Sequence, residues 1–245
     1  MAARLAVRRH TGRLVASLAA VSLVGAAAVG CASASGPASD AAPAAFAVQP
    51  ASDAATLAGL SAQVVGSKIV VGDADAPHTV TVYVDPRCPY CQKFEEGGAQ
   101  ALPGLVAAGK AKVEYQMASF LDARLGGSGS VKAANALRAS VEAGTGKFAQ
   151  FQAALFASQP SEETDGFTDA NLLKIADTVP GLNTAAFKKA VQQTTYKDFV
   201  EASQKAFAAN AEGTPTVLVD GRAVTDDALY DAAGFTAYLK AAGLA

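Results

Sequence analysis

Hydrophobic positions change their rhythm twice along this chain. Between residues 67 and 85 they gather in two short β-rich runs, "SKIVVGD" and "HTVTVYVD", separated by "ADAP", which predicts two strands joined by a turn. A helix follows: Pro89 suits a first helical position, where its missing N–H costs nothing, and "YCQKFEE" continues with good helix formers. Gly97, Gly98 and Pro103 should interrupt that helix before it ends near Gly109, and "AKVEYQMASF" then reads as a third strand. From about Ser130 to Asn210 the spacing turns helical, with apolar residues three and four apart in "VKAANALRASVEA", "KFAQFQAALFAS", "DANLLKIADTV" and "NTAAFKKAVQQTTYKDFVEASQKAFAAN". Asp169 and Asn183 are the expected N-caps, and Pro180-Gly181 breaks the block. "TPTVLVDGRAV" returns to strands around an Asp220-Gly221 turn, and "AAGFTAYLKAAG" closes with a helix.

The front of the chain follows neither rhythm. "MAARLAVRRHTGR" carries four arginines and no acid, and an apolar run from Leu14 to Gly30 leads to small residues, the layout of a secretory signal peptide over residues 1–30. An uncleaved membrane anchor is the alternative for a run of this length. "AAAVGC" at the end of that run resembles the lipobox of bacterial lipoproteins, with Ala28 where Leu is more common. By that resemblance Cys31 carries the lipid and residues 31–58, rich in Ala, Ser and Pro up to about Ala55, form a disordered tether to a domain at 59–245. Ordinary cleavage after Ala34 would instead discard Cys31.

Composition narrows the function. At 51% hydrophobic and 17% charged residues, the 245-residue chain has ample material for a buried core. Removing the leader takes four of its 20 basic residues, leaving 16 against 22 acidic ones. A net charge near −6 disfavours nucleic acid as a partner.

The chemistry concentrates in "DPRCPYCQKF", where Cys88 and Cys91 stand two residues apart. A structural zinc site usually needs four ligands, and beyond these two thiols the domain offers one histidine, His78. A structural disulfide suits an exported protein, although closing so small a loop restricts the unfolded chain little. A redox pair is favoured by placement, because a strand end followed by a helix start sets the first thiol where backbone N–H groups and the helix dipole stabilise a thiolate.

"GDADAPHTVTVYVDPRCPYCQKF" resembles the active-site region of the DsbA-like thioredoxin-fold family, and "EGTPTVLVDG" resembles its second hallmark, a Thr-Pro pair before a hairpin. "AANALRASVEAGTGKFAQFQAALF", between them, is similar to the family's helical insertion. The resemblance runs from about residue 66 to the C-terminus. It implies an α/β thioredoxin fold with a helical insertion, here about 128–208, between the βαβ and ββα halves. It further implies that Cys88 is the exposed nucleophile, that Cys91 resolves the mixed disulfide, and that Pro89 and Tyr90 modulate the pair. Pro215 corresponds to the family's cis-proline, which lies against the cysteines and leaves the Thr214 backbone to pair with a bound peptide. "DPxCPYC" with Thr before that proline is similar to the DsbC and DsbG members, whose N-terminal dimerisation domain the spacer here cannot be, so a monomer is expected.

The implied activity is thiol–disulfide exchange with exported proteins at the outer face of a bacterial cytoplasmic membrane. A membrane partner would renew the pair, and neither metal nor organic cofactor is implied. One position departs from the pattern. Many members carry a buried acid six residues before the first cysteine, where this chain has Val82; Glu114, on the next strand, is the nearest expected substitute.

Overall fold

The computed structural model of the protein describes residues 46–225 and 227–244. The leader and Cys31 therefore lie outside the described residues. In chain order the elements are α1 (Ala54–Leu57), β1 (Ala62–Val65), β2 (Lys68–Val71), β3 (His78–Val84), α2 (Pro89–Glu96), α3 (Leu102–Ala107) and β4 (Ala111–Met117). There follow α4 (Phe120–Leu125), α5 (Gly129–Val141), α6 (Lys147–Ala157), α7 (Asp169–Ala176), α8 (Ala185–Gln192) and α9 (Lys197–Asn210). The chain closes with β5 (Thr216–Val219), β6 (Arg222–Ala223) and α10 (Ala232–Ala241).

One six-stranded sheet, ordered β1-β2-β4-β3-β5-β6, organises these elements. β3 runs parallel to β4 and antiparallel to β5, with Val82 beside Tyr115 and Val217. The β2 and β3 runs are not neighbours, because β4 enters between them after the α2–α3 crossover; the turn expected from "ADAP" joins strands that pair with a third. β1 and α4 escaped the periodicity, being too short to establish a rhythm.

Alternation along β3 sends Val80, Val82 and Val84 into the main core, while Tyr83 faces a smaller cluster with Phe207 of α9. The main core includes Cys91 and Phe94 of α2 and Phe148, Phe151, Leu155 and Phe156 of α6. α10 docks on α2, Phe235 meeting Phe94 edge to face at 5.9 Å between ring centroids. The close approach fixes Gly98, since a Cβ there would collide with the Leu229 carbonyl oxygen.

Three sequence expectations need correction. Residues 46–58, expected to belong to the tether, instead join the domain: Phe46, Val48 and Ala51 pack against the core, and the Gln49 N–H donates to Ser158 Oγ at 2.8 Å. Enough apolar surface is scattered among its alanines and prolines to be buried. The N-caps are Thr168 and Thr184, whose hydroxyls accept from the Asn171 and Phe187 N–H groups. Asp169 instead pairs with Lys132 and Asn183 donates to Asp177. Finally, the pattern from 183 to 210 forms two helices, parted where Thr194 adopts a φ of 47° and the Tyr196 N–H donates to Asn135 Oδ1 at 2.8 Å. β-Branched neighbours at 194 and 195 and a buried acceptor on α5 outweigh the apolar spacing.

Candidate active site

β3 ends in Asp85, and the turn into α2 is built by that side chain. Its Oδ1 accepts from the Arg87 N–H at 3.0 Å and from the Ser130 hydroxyl at 2.6 Å, and its Oδ2 from the Leu121 N–H at 3.1 Å. Burial outweighs these bonds and raises its pKa to about 6. Arg87, 1% exposed, donates to Asp122 Oδ1 at 2.9 Å and to the carbonyls of Gly126 and Glu162. Both residues thus fasten the strand–helix turn to the helical insertion. Gln159 completes the attachment, donating through Nε2 to the carbonyls of Pro86 and Cys88.

Cys88 is the N-cap of α2 and Pro89 its first residue. With Pro89 donating nothing, the Tyr90 and Cys91 N–H groups are directed at the Cys88 sulfur. The pair is in the dithiol form. The Cys91 thiol is the largest influence lowering the Cys88 pKa, to about 6, opposed by burial and assisted by Thr214 and those two amides. Cys91, fully enclosed, is driven well above its ordinary value by burial and by the charge and hydrogen bond of Cys88. Cys88 is less open than expected, at 6% exposure, because its thiol sits under the Thr214 carbonyl, to which it donates at 3.3 Å. It is still the outer sulfur of the two.

The Thr214–Pro215 peptide bond is cis, and Thr214 is the residue brought against the sulfurs. Its buried hydroxyl has no other hydrogen-bond partner among the described residues and adds to the stabilisation of the Cys88 thiolate. Tyr90 is 59% exposed, its ring 6.2 Å from that of Tyr230, with Lys93 Nζ 6.0 Å and 5.6 Å from the two ring centroids. Cys88, Pro89, Tyr90, Cys91 and Thr214-Pro215 therefore meet at one end of the sheet.

Glu114 does not join them. It alternates with Tyr115 along β4 and lies on the sheet face of Gln116, which donates to Ser203 of α9, while its carboxylate pairs with Lys68 at 2.5 Å. The acids near the pair are others: Asp85, and Glu95 on α2, buried beside Gln152 and Tyr115. Sequence reasoning passed over Asp85, Arg87, Gln159 and Glu95. The spacing of Glu95, four residues after Cys91 and so on its helical face, was the available signal. Among the described residues no cluster of three or more His, Cys, Asp or Glu side chains could hold a metal ion.

Comparison with known proteins agrees with this geometry. A family model described as thioredoxin matches residues 65–241. Disulfide bond formation protein D of Bacillus subtilis is 28% identical over 168 residues, covering 66% of this chain and 72% of that protein. The reduced DsbA of Mycobacterium tuberculosis superposes with a TM-score of 0.56 at 26% identity, over 74% of this chain and 100% of that one. MdbA, a thiol-disulfide oxidoreductase from Corynebacterium diphtheriae, shares the fold with a TM-score of 0.60 at 20% identity, over 75% and 93% of the two chains. The chain belongs to the thioredoxin family and, within it, to the DsbA-like thiol-disulfide oxidoreductases.

Proposed function

We propose that this protein oxidises exported proteins through Cys88 and Cys91. The observation that carries this reading is the opposite treatment of two thiols three residues apart. Cys88 is held as a thiolate near neutral pH, while Cys91 is pushed toward the neutral thiol. A stabilised Cys88 thiolate favours the reduced state, so the disulfide form readily gives its bond away. In the forward reaction a client thiolate attacks Cys88 of the disulfide, Cys91 departs, and a second client thiolate releases the client oxidised and Cys88 as its thiolate. The Thr214 backbone beside the sulfurs would pair with the client chain, and the exposed Tyr90 would border it.

Tyr90 cannot place a positive charge beside the thiolate, which argues for a potential between the roughly −120 mV of the strongest oxidant and the −200 mV region of glutaredoxins. The leader and Cys31 support a location at the outer face of the bacterial cytoplasmic membrane, the domain being a lipid-anchored monomer whose pair a membrane partner reoxidises. Equilibration with glutathione buffers tests the direction. A potential in that interval, together with oxidation of a reduced client, upholds the oxidase reading; a value at or below about −270 mV makes the protein a reductase. A mature N-terminus at Ser35 would end the lipid anchor.

A further inference from the structure

A client chain bonded to Cys88 also meets the side chains that border that sulfur. On α2, Cys91, Phe94 and Glu95 are buried, while Tyr90 and Lys93 stand exposed one turn apart. A short turn before α10, Asp227–Tyr230, brings a second aromatic ring alongside them. The Tyr90 and Tyr230 rings are tilted, with centroids 6.2 Å apart, and Lys93 Nζ lies 6.0 Å from the first and 5.6 Å from the second. Pro89, Tyr90 and Lys93 line an open groove of about 290 Å³ that begins at the residue next to Cys88. Burial and then the charges of Cys91 and Cys88 raise the Tyr230 pKa, so the second ring also stands within the field of the pair.

The charge in this cluster is unanswered. Lys93 makes no ion pair or side-chain hydrogen bond among the described residues; the two ring faces are what it meets. Its neighbour Glu96 is engaged by Gln92, whose Nε2 donates to it at 3.1 Å, and Asp227 adds its charge to the surroundings of Tyr230 without pairing with Lys93. The Tyr90 and Tyr230 hydroxyls are likewise without a partner among the described residues. Two aromatic faces hold an ammonium in place at little further cost in side-chain freedom, so a carboxylate arriving there meets a preorganised cation with phenolic donors beside it.

We propose that Lys93, held against Tyr90 and Tyr230, selects clients that carry a carboxylate two residues from the reactive cysteine, a specificity that rests on the exchange reading above. Along an extended client beside Thr214, residues two apart point to the same face, so a side chain at that distance is turned toward the protein with the cysteine itself. It stands about 6.6 Å along the strand, and Lys93 lies five residues, about 7.5 Å of helical rise, beyond Cys88. A glutamate side chain spans what remains. The overall charge works against such a client: the chain has 20 basic against 22 acidic residues even before the arginines of its leader are removed, and at long range it repels acidic segments. A preference for them must therefore come from the local cation.

The test is rapid mixing of the oxidised protein with reduced peptides of one cysteine that differ only two residues to either side of it, in Glu, Gln or Lys. Each rate constant is divided by that peptide's rate with hydroxyethyl disulfide, which removes the effect of the flanking charge on the peptide thiol. At low ionic strength Glu should exceed Gln by about two- to fivefold, the range of an exposed ion pair, and Lys should be slowest. Molar salt should bring the three together. Lys93→Met should erase the advantage of Glu over Gln and Lys93→Glu should invert it, whereas Lys188→Met, which removes the same charge from an exposed position on α8, should retain it. Comparing peptides within each variant cancels any change in Cys88 reactivity. Equal rates for Glu and Gln with the wild type overturn the inference, as does an advantage that survives Lys93→Met or vanishes in Lys188→Met. A protein that oxidises none of the peptides ends the exchange reading and this inference with it; one that oxidises all three alike ends the inference alone.

Discussion

The start of α2 and its buried face treat negative charge in opposite ways. At the first turn, Cys88 meets two backbone N–H groups, the Thr214 hydroxyl and a neighbouring thiol, and its pKa falls to about 6. On its inner face, Cys91 at the third helical position and Glu95 one turn further on are enclosed by core side chains, and both hold their protons to higher pH than their types usually do. A helix start gives its orphan donors to one end only, while the apolar face behind it excludes ions. A CxxC placed across that boundary acquires an attacking sulfur and a protonated one from a single turn of helix.

Removing either sulfur should break the comparison outright. Cys88→Ala should reduce disulfide exchange to background, whereas Cys91→Ala should leave Cys88 able to capture clients but unable to let go of them. Mixed disulfides visible on non-reducing gels, and dispersed by dithiothreitol, check this. The next effect falls on the frame that holds the turn. Arg87→Ala leaves the half-buried Asp122 without its ion-pair partner and frees the carbonyls of Gly126 and Glu162, and should cost about 3 kcal/mol in denaturant unfolding.

Charge exclusion in the second turn is open to a gentler test. The Glu95 pKa is raised from 4.5 to about 8, so its favourable contribution is complete below 4.5 and is lost as pH rises through 8. Glu95→Gln should therefore match the wild type near pH 4 and exceed it by a few kcal/mol at pH 9, with an upper bound of about 1.4 kcal/mol for each pH unit separating the unfolded and folded values. Urea midpoints across that range measure the divergence. The smallest effect sharpens the first turn: Tyr90→His would add a cation near the Cys88 thiolate and should make the potential more oxidising by roughly 30 mV, about 1.4 kcal/mol for the two-electron couple.

What was legible in the sequence is what depends on local chemistry. The cysteine pair at a strand–helix junction, the Pro89 start, the Asp220-Gly221 turn and the helical block carry their own spacing, and the Thr-Pro motif locates Pro215 by resemblance. Contacts across the chain were not legible. Asp85 and Arg87 look like ordinary turn residues until α4, α5 and the loop at Glu162 arrive to receive them. Glu114 and Glu95 are both acids near strand or helix residues of the site, yet the pleat of β4 turns one toward Lys68 while the phase of α2 turns the other inward. Phe46 and Val48, diluted in a low-complexity stretch, gave no periodic signal of the surface they cover.

The division of charge along α2 is tested most directly by the pH dependence of alkylation of the reduced protein, with each thiol followed separately by peptide mass spectrometry. Cys88 should react with a midpoint near pH 6 and Cys91 should stay unmodified well above pH 9. A Cys88 midpoint at the ordinary thiol value of about 8.5, or Cys91 reacting first, would contradict the account.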